Sequence, residues 1–129
     1  MLDTLRKRLR SEKGFTLIEL LVVMIILAIL TAIAIPSYLS FRDRANNSAA
    51  AADVRSVIPD VESFFSDNGT YAGMTIAGLK ASYDQSLNAT TYALGSGLSA
   101  THYCVQATSQ NKTYKKDGPS AAISAGACP

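Results

Sequence analysis

The sequence predicts an α+β fold, in which a long N-terminal α-helix, kinked at two prolines, packs on a small antiparallel sheet of three or four strands. Two observations lead to this prediction. Apolar residues dominate from Phe15 to Ile35 and continue at helical spacing as far as Ser66. Alternating, strand-like segments separated by turn residues occur only after residue 90. We divide the chain of 129 residues into four segments: 1–14, 15–36, 37–66 and 67–129.

Residues 1–14 carry five basic side chains against Asp3 and Glu12. This excess of positive charge keeps such a flank in the cytoplasm and sends the following chain outward. We expect the segment to be a basic leader that is cleaved. The remaining residues hold seven lysines and arginines against eight acids. The overall formal charge of +2 is therefore a topology signal, and it gives no support for a nucleic-acid-binding surface.

The segment 15–36 is predicted to be a hydrophobic transmembrane helix. Its 21 residues from Phe15 to Ile35 include one charged residue, Glu19, and as a helix they would be roughly 31 Å long. A carboxylate inside an apolar membrane helix costs about 2.5–3.5 kcal/mol, marks function and needs a partner. Cleavage between Gly14 and Phe15 would create an α-amino group. The amino terminus of a neighbouring subunit could then reach Glu19.

The residues Gly14-Phe15-Thr16-Leu17-Ile18-Glu19 resemble the processing site of type IV pilins and related pseudopilins. The resemblance extends through Ala32-Ile33-Ala34-Ile35-Pro36 and, more loosely, to Asp67-Asn68-Gly69-Thr70-Tyr71. It implies that a membrane prepilin peptidase cleaves after Gly14 and N-methylates Phe15. A plain secretory signal or anchor is the other interpretation of a basic flank before an apolar run, but neither needs Glu19.

The resemblance further implies a single-pass precursor in the cytoplasmic membrane, which pilus assembly machinery extracts into an extracellular filament of identical subunits. In that filament Glu19 would pair with the Phe15 nitrogen of a neighbour and fix the register. Adhesion, twitching motility and DNA uptake are the functions that such a pilus serves. Neither a cofactor nor a metal is implied.

Residues 37–66 are predicted to continue the helix as an amphipathic segment. Pro36 removes a helical hydrogen bond, and Pro59 interrupts an otherwise regular pattern, so we expect a kink at each. The family often has a glycine upstream of the first proline, where this chain has Ala28, a stronger helix former. The predicted inward stripe consists of small and apolar residues at three- to five-residue steps: Ala45, Ala49, Ala52, Val57, Val61 and Phe64 or Phe65.

Residues 67–129 are predicted to form the globular head. Asp67-Asn68-Gly69 ends the long helix, and a short helix is expected over 76–82. Strands are expected near 91–94, 101–108, 112–116 and 121–124. In the second of them Tyr103, Val105 and Ala107 alternate with polar neighbours.

Cys104 and Cys128 both fall in the segment that would be exported. Their spacing excludes a CxxC redox motif, and with one histidine they make a poor zinc site. In an oxidising compartment they are expected to form a disulfide, whose loop entropy corresponds to about 3.5 kcal/mol. The pairing also resembles the C-terminal disulfide loop of many type IV pilins. Two buried free thiols are the alternative.

The sequence holds few candidates for catalysis or ligand binding. His102 is the only histidine, and no Ser-x-Gly elbow, paired-carboxylate constellation or Gly-rich phosphate loop accompanies it, so we predict that the protein is not an enzyme. After Leu87 the only acid is Asp117, which makes a calcium site in the head improbable. The basic patch Lys112, Lys115 and Lys116, with Tyr114, could contact DNA, although such patches more often serve solubility.

The sequence therefore predicts a structural subunit of a type IV pilus. A minor pilin and a type II secretion pseudopilin share the N-terminal motif and stay open as alternatives. The intact Glu19 mildly favours the major subunit. The alternative from a different class is a membrane-anchored binding domain that never polymerises.

Overall fold

The computed structural model describes residues 14–129, so the leader before Gly14 lies outside the described residues. Two units follow one another along the chain, the first up to Ser40 and the second from Phe41 to Pro129. Within residues 14–129 there are two helices and four strands: α1 Leu17–Asn68, α2 Ile76–Ser82, β1 Tyr92–Leu94, β2 Cys104–Ser109, β3 Lys112–Asp117 and β4 Ser124–Ala125.

The described residues of the first unit lead into α1 and form its beginning. Every residue from 14 to 40 is exposed, including large apolar side chains such as Ile18, Ile25 and Leu30. Helix α1 is long and apolar enough to cross a membrane, by length and composition. An apolar surface of this size requires a non-aqueous environment, such as lipid or the helices of other subunits.

Helix α1 continues through Pro36 and Pro59 without a break. Each proline lacks an N–H, which leaves the carbonyl groups of Ala32 and Arg55 without their usual helical donors. The kinks expected at the two prolines stay predictions. The end of the helix is as predicted: Gly69 has a φ of +68°, and its N–H donates to the Phe65 carbonyl at 2.7 Å.

The second unit is built where α1 meets the sheet. Ala50, Val54, Val57 and Val61 are fully buried, and the last three pack in one cluster with side chains of β2 and the residue before it, Tyr103, Val105 and Ala107. The alternation predicted for β2 is thereby confirmed.

The inward stripe predicted for α1 was partly wrong. Ala45, Ala49 and Ala52 are exposed, and Ala50 and Val54 are buried in their place. Val57 and Val61 are buried as predicted, and Phe64 and Phe65 pack against the core cluster. The error arises because the alanines of 49–52 occupy all sides of the helix, so burial follows the row of valines that meets the sheet.

The sheet is a four-stranded antiparallel meander with the order β1-β2-β3-β4. The hairpin between β2 and β3 turns at Gln110 and Asn111, whose φ values of 49° and 62° are both left-handed. This is the two-residue turn whose twist matches paired strands. β4 is short and pairs Tyr114 with Ala125 and Lys115 with Ser124. The predicted α+β class is confirmed, with four strands.

The connection from α1 to the sheet packs onto the core through four buried side chains. Tyr71, Met74, Leu79 and Leu87 are all less than 5% exposed. The short helix α2 begins after Thr75, whose hydroxyl accepts a hydrogen bond from the Gly78 N–H at 3.0 Å. Its position confirms the predicted helix over 76–82.

Candidate functional site

The predicted processing junction lies immediately before α1. Gly14 and Phe15 are exposed, and the Phe15 side chain is 93% exposed. A Cβ atom added to Gly14 would meet no other atom within 4 Å. A requirement for glycine here would therefore come from a processing enzyme, since the fold of the chain places no demand on this position.

Thr16 and Glu19 form a reciprocal cap on the first turn of α1. The Thr16 N–H and hydroxyl donate to Glu19 Oε2 at 2.9 and 3.0 Å, and the Glu19 N–H donates to Thr16 Oγ1 at 3.2 Å. The Thr16 carbonyl accepts the helical bond from the Leu20 N–H. This is a capping box, which satisfies N–H groups that have no partner within the helix.

The cap changes the expectation for Glu19 in an isolated subunit. The sequence suggested that Glu19 has no partner within its own chain. In the structure its carboxylate accepts two hydrogen bonds from Thr16. Within residues 14–129 no basic group forms an ion pair with it. The carboxylate is thus held at the start of the helix and remains without a counter-charge.

Thr16 is the functional candidate that sequence reasoning missed. The signal was present as Thr16-Leu17-Ile18-Glu19, a Thr-x-x-Glu pattern before an apolar run. The charge of Glu19 predicts a cationic partner, whereas its spacing from Thr16 predicts the cap.

The predicted disulfide between Cys104 and Cys128 is present, with a Cα–Cα distance of 5.8 Å. Cys104 is buried on the sheet face opposite the helix, where the C-terminal residues cover it. The Cys128 N–H donates to Gln106 Oε1 at 2.7 Å, and the Ser96 N–H and hydroxyl both donate to the Pro129 carbonyl at 3.2 Å. The chain end is therefore fixed against β2 and the residues after β1.

Gly95 packs directly against the Cys104–Cys128 disulfide. A Cβ atom there would stand 2.9 Å from Cys128 Cβ and 3.1 Å from Cys104 Cβ. The close approach of the backbone to the disulfide therefore requires glycine at this position.

The residues considered for catalysis or DNA binding are engaged within the head. His102 Nε2 lies 3.0 Å from Asp117 Oδ1, and its Nδ1 lies 3.1 Å from the Gly97 carbonyl oxygen. Lys112 pairs with Asp43 at 3.6 Å and Lys115 with Asp117 at 3.9 Å, while Lys116 donates to the Ala121 carbonyl at 2.6 Å.

A metal site needs several ligand side chains close together. Between Gly14 and Pro129, no three histidine, cysteine, aspartate or glutamate side chains come together in a way that could hold an ion.

Comparison with known proteins extends this description. Residues 9–35 match the prokaryotic N-terminal methylation motif, a stretch that includes Gly14, Phe15, Thr16 and Glu19. The chain is 36% identical over 97 residues to the type IV wide pilus major component PilA4 of Thermus thermophilus, covering 75% of this chain and 73% of that protein. The chain belongs to the type IV pilin family. A pilin of this kind is a structural pilus subunit, anchored in the membrane by its apolar helix as a precursor and later carried to the surface.

Two further relatives show how far the likeness extends. This pilin is 33% identical over 117 residues to the type IV major fimbrial protein FimA of Dichelobacter nodosus, covering 86% of this chain and 75% of that one. It is 38% identical over 72 residues to the type II secretion system core protein G of Pseudomonas aeruginosa, covering 56% of this chain and half of that protein. The likeness to PilA4 and FimA therefore covers more of both chains than the likeness to this secretion protein does.

Proposed function

We propose that this pilin is the major, non-enzymatic subunit of a type IV pilus, which polymerises with identical copies into an extracellular filament. The observation that carries the proposal is the extent of the similarity to two proteins named as major subunits. The aligned 97 and 117 residues extend well beyond the methylation motif at residues 9–35. The intact Glu19 supports the same conclusion.

The composition of sheared surface filaments tests the proposal. A major subunit should be the dominant protein in them, and deletion of its gene should remove the filaments. A minor pilin would be present at a small fraction of the total. Absence of the chain from sheared filaments, with a secretion defect on deletion, would contradict the proposal and favour a pseudopilin. That second candidate is supported by the similarity to the secretion protein G.

A prepilin peptidase is proposed as the processing partner, acting between Gly14 and Phe15. Because the Gly14 position is open, Gly14→Ala should leave the fold unchanged and be partly processed. A bulky or charged residue, as in Gly14→Leu or Gly14→Glu, should block cleavage and assembly. Mass spectrometry of the mature chain should find an N-methylated Phe15 at its start. A mature chain that begins at Met1, or after Ile35, would contradict this assignment.

The assembly role of Glu19 follows from processing. Cleavage gives Phe15 a free amino group, and Glu19 offers a carboxylate that already orders the first helical turn through Thr16. We propose that the Phe15 amino group of a neighbouring subunit pairs with Glu19 in the filament. At an effective dielectric constant near 20, two charges about 4 Å apart attract by roughly 4 kcal/mol before the cost of desolvation.

The cellular task of the filament would depend on the surface of the head. Adhesion, twitching motility and DNA uptake all use an exposed head surface. Direct DNA binding by Lys112, Lys115 and Lys116 is disfavoured, because each lysine already binds an oxygen within the head.

A further inference from the structure

The part of α1 that belongs to the head has flanks of opposite charge. Successive side chains of a helix are rotated by about 100° around its axis. The position of each flank can therefore be given as an angle from the centre of the buried face, which Ala50, Val54, Val57 and Val61 define. Asp53, Asp60 and Asp67 recur every seven residues on one side, roughly 70–110° from the centre of the buried face. We call these three residues the acidic flank.

Arg44 and Arg55 lie on the other side of the same helix, roughly 110–130° from the centre of the buried face. We call these two residues the basic flank, and both are exposed. Glu62 shares this side, but its carboxylate accepts a hydrogen bond from the Tyr71 hydroxyl at 3.1 Å. It is thereby occupied within the head.

No residue of either flank forms an ion pair inside the head. Asp67 Oδ2 does accept a hydrogen bond from the Tyr83 hydroxyl at 2.7 Å, so Asp53 and Asp60 are the members of the acidic flank on which the contact depends. The ion pairs among residues 14–129 join His102 and Lys115 to Asp117 and Lys112 to Asp43, and none includes a member of the two flanks. Arg42 is on the side of the acidic flank, but it precedes Asp53 by eleven residues, or roughly 16 Å along the helix.

Asp60 shows most directly that the acidic flank lacks a partner. Its Oδ2 atom is buried and has no hydrogen-bond partner in the described part of the chain. Burial, with the nearby Asp84 carboxylate as a second cause, raises the pKa of Asp60. A cation beside the Asp60 carboxylate would favour the charged form that burial penalises.

We infer that the basic flank of one head docks on the acidic flank of a second copy of this chain. The inference rests on the proposed polymerisation, since only there are many parallel copies held side by side. A contact between two different surfaces of the same protein is heterologous, and its repetition builds an open helical polymer. Charge complementarity also suppresses wrong registers, because a slipped contact would bring like charges together.

The spacing of the charges specifies the geometry of this contact. Arg55 precedes Asp60 by five residues, and Arg44 precedes Asp53 by nine. Between parallel neighbours, pairing Arg55 with Asp60 displaces each copy along the helix direction by about 7–8 Å, and pairing Arg44 with Asp53 displaces it by about 13–14 Å. The difference of about 6 Å would have to be spanned by the long arginine side chains. Both pairs thus call for a shift in the same direction.

A charge-swap experiment in the full-length chain tests the inference. Arg55→Glu alone and Asp60→Lys alone should each lower the yield of sheared filaments by roughly tenfold, as like charges then meet. The double variant restores the pair with its signs exchanged and should recover most of the yield. Lys80→Glu, the same change of charge at an exposed site on α2, should leave the yield unchanged. Resistance of the membrane-bound subunit to protease verifies that each variant folds.

Cross-linking gives an independent measurement. Residues 55 and 60 are five apart on one helix, with Cα atoms too distant for a disulfide within the chain. Oxidised filaments of the variant with both Arg55→Cys and Asp60→Cys should therefore give a ladder of dimers and higher oligomers on a non-reducing gel. Each single variant should give no ladder.

The outcomes separate this inference from the proposed function. If the wild-type chain forms filaments but both single reversals assemble normally, the flank contact is wrong and the pilin assignment stands. Failure of the double variant to recover, or dimers from a single cysteine variant, would also overturn the contact. If the wild-type chain is absent from filaments, the proposed function itself fails.

Discussion

Replacing Glu19 with leucine is expected to reduce sheared filaments to a small fraction of the wild-type yield, while unassembled subunit accumulates in the membrane. In the filament the change would leave the Phe15 amino group of a neighbour buried without a counter-charge. Removing one partner of a buried ion pair costs about 3–5 kcal/mol. Burial of the new leucine side chain returns less than this, about 1.5–3 kcal/mol.

The same substitution has the opposite consequence for a membrane-anchored domain that never polymerises. There Glu19 only raises the cost of membrane insertion, by about 2.5–3.5 kcal/mol. Glu19→Leu would improve anchoring and leave function intact. The yield of filaments relative to membrane-bound subunit therefore distinguishes a polymer from an anchor.

Two matched variants separate the charge of Glu19 from its role in the capping box. Glu19→Gln keeps a side chain that can cap the helix but removes the charge, so it should assemble almost as poorly as Glu19→Leu. Thr16→Val removes the hydroxyl but keeps the carboxylate. Loss of a cap costs about 1 kcal/mol, so this variant should assemble with a modest loss. Normal filament yield from Glu19→Gln would contradict the pairing role, whatever the result for Glu19→Leu.

Patterns with strict periodicity were predictable from the sequence. Tyr103, just before β2, and Val105 and Ala107 within it are buried in the core, as their alternating spacing predicted. The turn residues Asp67-Asn68-Gly69 likewise ended the long helix where expected, since Gly69 adopts the left-handed conformation that terminates helices.

The burial of α1 was less predictable because its alanines do not define a face. Ala49, Ala50, Ala51 and Ala52 follow one another, and only Ala50 is fully buried. The side that packs is set by the sheet, which the sequence of the helix does not specify. At the candidate site the charged partner that we propose for Glu19 belongs to another copy of the chain. The contacts within one chain therefore include only the cap with Thr16.

Removal of the Cys104–Cys128 disulfide is expected to destabilise the head by about 3.5 kcal/mol and release its C-terminal residues. Small domains are typically stable by about 5–15 kcal/mol, so the loss would be a large fraction of the total. The chain end has few other attachments, and β4 is two residues long. Beyond it, the Gly126 N–H donates to the Thr113 carbonyl, the Cys128 N–H donates to Gln106, and Pro129 accepts two hydrogen bonds from Ser96.

The choice of variants determines how clearly the bridge is tested. Cys104→Ser alone places a hydroxyl at a buried position and frees Cys128, so it should cost more than the bridge itself. Replacing both cysteines with alanine avoids a free thiol and an unpaired hydroxyl.

Limited proteolysis of this double variant, followed by mass spectrometry, should find early cleavage after β4, at residues that stay intact in the oxidised wild type. Wild-type protein treated with a reductant should show the same cleavage. Equal resistance of the double variant and the oxidised wild type, or free thiols in protein collected from outside the cell, would contradict a stabilising bridge.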